Sequence, residues 1–283
     1  MMKYGGKGLL LLAAALVVAT GFTPQAWAKN AAAESFAQQD QTIEYHFMIE
    51  EGNLTEKDLA KGLPAAIIEP LKPLCDVGPA SKSRKGIYID SRARILEKNN
   101  LILRVREGSI TVKARGLSPA VVTDLERCSL KKYEIDYFAL PEYSISSDIK
   151  FKKEEFDVSP SKMTIQGLLG FMKSKCPALF EQIWPVVKDG TGLEIPGVAT
   201  MYSFDVTLKH PLARKLKEAD LAVWFFPPTN RALVEPPFTG EVRDRAELDK
   251  LGAEVEAFLK NAGLLKAEQV SKTEQYFKVY FGK

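Results

Sequence analysis

Residues 85–115 read KGIYIDSRARILEKNNLILRVREGSITVKAR, and their spacing predicts a strand, a helical turn and two further strands. In the second of these strands Leu103 alternates with Arg104 and Arg106, and Lys113 takes a polar position in the third. Alternation at period two is typical of a strand with one face in a core and the other in water or a cavity. The neighbouring strands therefore predict a sheet with one cationic face.

The composition is that of a folded soluble protein rather than of a nucleic-acid-binding one. The chain has 283 residues, of which 46% are hydrophobic and 27% are charged. Its formal net charge of +3 is too small to indicate nucleic-acid binding, so any basic surface must be local. We find no internal repeat, no low-complexity block and no convincing linker, so residues 42–283 are predicted to form one domain.

Residues 1–28 have the parts of a secretory signal peptide. Two lysines precede the apolar run Leu9–Ala19, and residues 26–28, AWA, offer small side chains where a signal peptidase reads them. The apolar run is short for a membrane span, although an uncleaved anchor is the alternative. We expect a periplasmic or secreted protein with no membrane segment after signal removal, and with a flexible leader at residues 29–41.

Three cysteines allow at most one internal disulfide. Cys75, Cys128 and Cys176 are too far apart in sequence for a C-x-x-C metal or redox motif. In an oxidising compartment a bond between Cys75 and Cys128, or between Cys128 and Cys176, is possible and would leave one thiol. Buried free thiols are the alternative.

The rest of the chain mixes strand and helix patterns. Alternation predicts further strands at residues 41–49, 130–138, 145–151, 201–208, 221–226 and 239–245. Helical spacing predicts helices at residues 54–74 with a break at Pro64, at 161–187 with an interruption at Pro177, and at 246–265. Residues 271–277 are predicted to be a last strand or a strand–helix end. The proline-rich segments 225–228 and 234–238 are interpreted as loops, with a contact surface as the alternative.

Several strands carry ionisable groups opposite their apolar face. The cations are Arg104, Arg106, Lys113 and Lys132, and the carboxylates are Glu44, Glu134, Asp136 and Glu241. Such a face can lie in bulk water, or it can line a closed or nearly closed antiparallel barrel, and spacing alone leaves both possibilities open. Inside a cavity, cations and carboxylates together suit a polyanion bridged by a divalent metal.

Four segments together resemble the central signature of the CYTH, or triphosphate tunnel metalloenzyme, superfamily. They are YIDS at 88–91, LEKNN at 96–100, LRVRE at 103–107 and TVK at 111–113. Family members typically show Tyr-x-Asp-Thr, a short helix, an Arg-x-Arg strand and a strand ending in Lys. The resemblance is sharpest over residues 86–115 and looser over 42–283. It implies an α+β fold, an antiparallel eight-stranded β-barrel (tunnel) with peripheral helices.

The resemblance also implies roles for individual residues, although it assigns no catalytic residue. Family members cleave triphosphates with Mg²⁺ or Mn²⁺, or make cyclic nucleotides. The residues that would hold phosphate are Arg104, Arg106, Lys113, Lys132 and Lys272. The residues that would help to hold the metal are Glu44, Glu134, Asp136 and Glu241.

Two motifs depart from the family pattern. The family's first strand carries Glu-x-Glu-x-Lys, whereas this chain has Thr42, Glu44 and His46. The late Glu-x-Glu pattern becomes Glu241-Val242-Arg243. Fewer carboxylates should lower the affinity for Mg²⁺. We therefore expect an exported tunnel protein that binds a phosphate-type anion, such as polyphosphate or a smaller anionic molecule, with weak or lost catalysis. A metal-dependent triphosphatase or polyphosphatase and a non-catalytic structural or partner-binding protein are the alternatives.

Overall fold

The computed structural model describes residues 41–49, 54–138, 140–188, 190–229, 231–236 and 238–282. The predicted signal peptide and residues 29–40 of the predicted leader lie outside these ranges. Gln41, the last residue of that leader, already belongs to the first strand. Across the described ranges, every helix is too short or too polar to cross a membrane.

The described residues contain eleven strands and seven α-helices. The strands are β1 Gln41–Tyr45, β2 Cys75–Ser91, β3 Leu101–Arg106, β4 Ser109–Gly116, β5 Leu130–Tyr137, β6 Pro141–Lys150, β7 Leu193–Glu194, β8 Ala199–Leu208, β9 Leu216–Phe226, β10 Arg231–Glu235 and β11 Phe238–Glu241. The helices are α1 Glu56–Lys61, α2 Ala65–Leu71, α3 Ile95–Lys98, α4 Ile165–Lys175, α5 Pro177–Val187, α6 Arg245–Asn261 and α7 Lys272–Phe281.

Nine of the strands close into a barrel. The order round the barrel is β9, β11, β1, β5, β6, β4, β3, β2 and β8, which pairs with β9 again, while β10 and β7 are attached outside this ring. The predicted α+β barrel with peripheral helices is confirmed, but the prediction of eight antiparallel strands is wrong. There are nine strands, and β1 runs parallel to β5. Alternation fixes which side chains of a strand share a face, but it does not encode the direction of the neighbouring strand.

The apolar faces of the strands point outward, under the helices. Leu103 and Val105 belong to a buried cluster between the barrel wall and α3, α4 and α5. A second cluster fills the space between the wall and α1, α2 and α6. Because these two clusters lie outside the wall, the polar faces of the same strands face the interior of the barrel, where a third cluster around Tyr88 and Trp224 also lies.

Residues 271–277 form the start of α7 and not a last strand. The Ser271 hydroxyl accepts a hydrogen bond from the backbone N–H of Glu274, which caps the helix. Tyr276 and Phe277 then pack against Tyr88 on the inner face of β2, with ring centroids 5.0 and 6.3 Å apart. A polar run that ends in an aromatic pair fits either a strand or a helix, and the packing of that pair on the barrel favours the helix.

The proline-rich segments bury the aromatic side chains that flank the prolines. Phe225, Phe226 and Phe238 are buried, at 3%, 0% and 3% exposure. The residues between the two proline pairs include β10, which pairs with β9. The loop interpretation therefore missed a strand, because two nearby proline pairs left only a short apolar run between them.

Asp90 in the YIDS segment fixes the turn from β2 into α3. Its carboxylate accepts hydrogen bonds from the backbone N–H groups of Ser91, Leu96 and Glu97 at 2.7, 2.9 and 3.2 Å. The side chain is almost fully buried. An ionised carboxylate is a strong acceptor for these otherwise unpaired helix N–H groups. The role of Asp90 is therefore structural, whereas Tyr88 of the same segment faces the lumen.

Cys128 and Cys176 form the one disulfide that three cysteines allow, with Cα atoms 5.7 Å apart. The bond ties the start of β5 to the junction between α4 and α5. Cys75 is a buried free thiol. The sequence allowed Cys128 to pair with Cys75 or with Cys176, and the bond to Cys176 is the one present.

Removing this bond should destabilise the fold. We expect Cys128→Ala/Cys176→Ala to lower the free energy of unfolding in urea by about 2–4 kcal/mol, since the bond closes a long loop in the unfolded chain. Wild-type protein kept in reductant should lose a similar amount. Alkylation of the denatured, unreduced protein should label the single thiol of Cys75, and labelling of three thiols would contradict the bond.

Candidate functional site

The barrel encloses a charged cavity of about 510 Å³, the lumen. All the cations that the resemblance assigned to phosphate binding line it: Arg104, Arg106, Lys113, Lys132 and Lys272. Three of the four carboxylates assigned to metal binding line it as well: Glu44, Glu134 and Asp136. The sequence pattern thus identified much of the lining, while the roles of these residues remain predictions.

Strand register explains why residues distant in sequence meet. Lys113 on β4 lies opposite Ser146 on β6, which in turn lies opposite Lys132 on β5. On the other side of β5, Asp136 lies level with Glu44 of β1. Residues that share a face and a level across paired strands are side-chain neighbours, so the register places cations and carboxylates together.

His46 lies at the centre of the carboxylates. Its Nδ1 is 2.5 Å from Glu235 Oε1, and its Nε2 is 3.3 Å from Asp136 Oδ1 and 3.7 Å from Glu44 Oε2. The imidazole is buried and stacks on the ring of Phe138, with centroids 4.4 Å apart. Glu235 is fully buried at the end of β10.

Two lysines complete this group. Lys272 Nζ lies 3.3 Å from Glu235 Oε2. Lys113 Nζ lies 2.7 Å from Asp136 Oδ2 and 3.1 Å from Glu134 Oε2. We call the whole group the lumen network: His46, Lys113, Lys272, Glu44, Glu134, Asp136 and Glu235. Its alternation of cations and carboxylates offsets the cost of burying each charge.

The electrostatics of the network favour ionised groups. Burial alone would lower the pKa of His46, but Glu44 and Glu235, together with the hydrogen bond to Asp136, outweigh it and raise that pKa to about 9. Burial alone would raise the pKa of Glu235, but Lys272 and His46 lower it to about 2. At Asp136 the neighbouring cations also outweigh the effect of burial. Lys113 and His46 hold the pKa of this carboxyl well below its usual range.

Glu44 differs from the other carboxylates. Burial raises its pKa, and the attraction of His46 and Lys272 does not fully offset that effect. Its closest cationic atom in the described part of the chain is His46 Nε2, at 3.7 Å. Glu44 is therefore the network carboxylate that is held least firmly by a cation.

Five other cations of the lumen have no carboxylate partner within ion-pair distance among the described residues. We call them the unpaired cations: Lys82, Arg84, Arg104, Arg106 and Lys132. Arg104 carries a buried Nε that has no hydrogen-bond partner in the described part of the chain. Burial, together with the neighbouring Arg104 charge, lowers the pKa of Arg106 to about 10. The neighbouring like charges of Arg104 and Arg106, with no carboxylate within ion-pair distance among the described residues, favour a bound anion.

Sequence reasoning missed several charged lining residues, among them Lys82, Arg84 and Glu235. Lys82 and Arg84 extend the inward face of β2 beyond the predicted strand, and the polar alternation of residues 81–85 could have indicated them. Glu235 was interpreted as part of a loop, although it directly follows the apolar run of β10. A charged residue at the end of a short apolar run was the available signal.

Glu241 lies apart from the other candidate metal ligands. It ends β11, outside the lining of the lumen, and is partly exposed. Its carboxylate pairs with Lys217 at 3.1 Å and with Arg243 at 2.6 Å. The cation that replaces the second acid of the late family motif thus neutralises the first.

A group of three residues has donor atoms spaced for a metal ion. Glu44, His46 and Asp136 each offer one ligand atom, and these atoms lie within 4.8 Å of one another. However, both ring nitrogens of His46 already face carboxylate oxygens, and Asp136 is bound by Lys113. In this arrangement His46 does not fit a divalent ion, because a metal ligand needs a free lone pair and both of its ring nitrogens face carboxylates.

The pKa shifts predict how stability depends on pH. Because its pKa is raised from 6.5 to about 9, protonated His46 adds about 3 kcal/mol to the free energy of unfolding. This contribution is complete below pH 6.5 and is lost as the pH rises through about 9. The contribution of Glu235 is complete above pH 4.5 and lost as the pH falls through about 2. Urea unfolding between these limits should show a plateau that falls on both sides. A His46→Gln variant should lack the alkaline fall, and an unchanged profile would contradict this assignment.

Among known proteins, the chain is similar to solved structures. No family model matches the chain, and no curated protein matches it. A Hippeastrum protein described as an adenylyl cyclase with a dominant triphosphatase activity is 12% identical, with a TM-score of 0.43, over 82% of this chain and 93% of that one. Proteins described as adenylate cyclases from Bacillus halodurans and Vibrio parahaemolyticus are both 11% identical, with TM-scores of 0.42 and 0.38. They cover 84% and 83% of this chain and 98% of each of those chains.

At these identities and TM-scores the likenesses carry no argument about ligand or activity. The architecture of the chain itself supports a statement about its fold. Nine strands close round a lumen, and the YIDS, LRVR and TVK segments supply adjoining strands of its wall. The cations of those strands face inward. A closed barrel with a charged lumen is the architecture that the sequence resemblance implies.

Proposed function

We propose that the barrel binds a phosphate-type anion in its lumen. The observation that carries this proposal is the set of unpaired cations, Lys82, Arg84, Arg104, Arg106 and Lys132, on the wall of one enclosed cavity. Guanidinium and ammonium groups bind phosphate oxygens through charge-assisted hydrogen bonds. The buried Nε of Arg104 is a donor that an anion could satisfy, and an unsatisfied buried donor costs about 1–3 kcal/mol.

Binding is the better-supported function, and hydrolysis is the second candidate. The spacing of Glu44, His46 and Asp136 favours a metal-dependent triphosphatase or polyphosphatase using Mg²⁺ or Mn²⁺. Against it, His46 and Lys113 already occupy the carboxylate oxygens that such an ion would need. Catalysis on this lumen is therefore proposed to be weak or lost.

Export is part of the proposal. Residues 1–28 have the composition of a signal peptide, and the bond between Cys128 and Cys176 is of a kind that persists in oxidising compartments. A periplasmic or secreted protein would meet phosphorylated compounds or polyphosphate rather than an abundant supply of free nucleoside triphosphates.

Calorimetry with tripolyphosphate and orthophosphate, alongside an assay for phosphate release with Mg²⁺ and Mn²⁺, tests these functions. We expect tripolyphosphate to bind, with an affinity that falls as salt rises, and phosphate release no faster than in an Arg104→Ala/Arg106→Ala variant. Absence of binding by any phosphate compound would overturn the proposal. Rapid phosphate release that needs Arg104 and Arg106 would establish the second candidate instead.

A further inference from the structure

We propose that His46, Lys113 and Lys272 are built-in counter-cations, so that the lumen binds its anion without a divalent metal ion. This inference rests on the proposed anion-binding function and concerns the cofactor requirement of the same site. It is carried by hydrogen-bond geometry within the lumen network.

The first step concerns the protonation of His46. Glu235 Oε1 lies 2.5 Å from Nδ1, and Asp136 Oδ1 lies 3.3 Å from Nε2. An ionised carboxylate can only accept hydrogen bonds, so each ring nitrogen must donate, and the ring is an imidazolium. An imidazolium has no free lone pair and adds a positive charge where a metal ion would sit.

The second step concerns the carboxylates that a metal ion would need. Asp136 Oδ2 accepts from Lys113 Nζ at 2.7 Å and from the Ser144 hydroxyl at 3.2 Å, while its other oxygen faces His46. Glu134 Oε2 accepts from the same lysine at 3.1 Å. Three of the four network carboxylates therefore already have cationic partners in the described chain, since Glu235 lies between His46 and Lys272.

The third step is electrostatic. Glu44 is the one network carboxylate with no lysine or arginine within ion-pair distance among the described residues. His46 Nε2 lies 3.7 Å from Glu44 Oε2, so a divalent ion bound to Glu44 would lie beside the imidazolium. Repulsion between like charges at such distances in a buried site is large. A metal ion could enter only by displacing a lysine or removing the proton from His46.

The ligand class follows from this arrangement. An anion entering past the unpaired cations, such as Arg104 and Arg106, meets fixed positive charge and no open metal site. It should therefore be a metal-free oligophosphate or other multiply charged phosphorylated anion. Free Mg²⁺ should weaken the measured binding, because it competes with the protein for the anion in solution.

Calorimetry of the full chain with tripolyphosphate, in EDTA and in excess Mg²⁺ or Mn²⁺, is the direct test. We expect full affinity in EDTA and lower apparent affinity with either metal. Electron paramagnetic resonance should detect no Mn²⁺ bound to the protein, with or without tripolyphosphate. Binding that appears only with a metal, or stoichiometric Mn²⁺ in the lumen, would overturn this inference and leave the proposed function standing. No binding in any buffer would overturn both.

A variant sharpens the test. His46→Gln keeps a hydrogen-bond donor but removes the charge, so its Mn²⁺ affinity should rise about tenfold or more above the detection limit that the wild type does not reach. His210→Gln, the matched change at the partly exposed histidine that pairs with Glu254, should bind no more Mn²⁺ than the wild type. An unchanged Mn²⁺ affinity in folded His46→Gln would count against the inference. The wild-type measurements decide it even if that variant does not fold.

Discussion

Replacing Arg104 and Arg106 together by alanine should weaken tripolyphosphate binding by about a hundredfold to ten-thousandfold. Both side chains line the lumen from β3, and neither has a carboxylate within ion-pair distance among the described residues. Each charge-assisted hydrogen bond contributes about 1.5–3 kcal/mol, and an affinity change of tenfold corresponds to about 1.4 kcal/mol. The loss should appear in calorimetry and should be accompanied by a weaker dependence of affinity on salt.

Lys85→Ala is the matched control for this double variant. Lys85 carries the same charge and follows Arg84 on β2, but it is exposed and lies outside the lining of the lumen. Its loss should change the affinity by no more than about twofold, since exposed charges contribute little. Arg104→Lys/Arg106→Lys should lose less than the alanine pair, because a lysine keeps the charge but not the planar fork of donors. If Lys85→Ala lost as much affinity as Arg104→Ala/Arg106→Ala, the effect would come from the net charge of the protein and not from the lumen.

Local patterns predicted the faces of the strands well. Arg104, Arg106 and Lys113 were placed together because alternation assigns them to one face, and a closed barrel makes that face the inside. The helix break at Pro64 also follows from local chemistry, and it is present between α1 and α2. These features depend on residues close in sequence, so a sequence can reveal them.

Non-local pairing could not be predicted in the same way. The parallel register of β1 and β5 joins residues far apart in sequence, and neither strand encodes the direction of the other. The network contact between His46 and Glu235 has the same origin, since the two residues are 189 positions apart. The departure at His46 was visible in the sequence, but the carboxylate that orients it was not. The sequence therefore identified the lumen better than it identified the charge balance inside it.

Replacing His46 by leucine should lower the free energy of unfolding by about 3–5 kcal/mol, because it removes one partner from a buried ionic network. Glu235 is fully buried and would be left with Lys272 alone, while one oxygen of Asp136 would lose its cationic partner. Urea unfolding near neutral pH measures the loss. Leucine has a volume close to that of the imidazole, so the effect would report charge and hydrogen bonding more than a cavity.

The chain offers a control for His46→Leu and, at position 235, the partner for a double-mutant cycle. His210→Leu removes the only other histidine, which is partly exposed and pairs with the exposed carboxylate of Glu254, so it should cost no more than about 1 kcal/mol. Glu235→Gln should cost less stability in His46→Leu than in the wild type, because Glu235 has already lost one of its two cationic partners there. A double-mutant cycle with no coupling between positions 46 and 235 would contradict the network, since residues in direct ionic contact must show a coupling free energy.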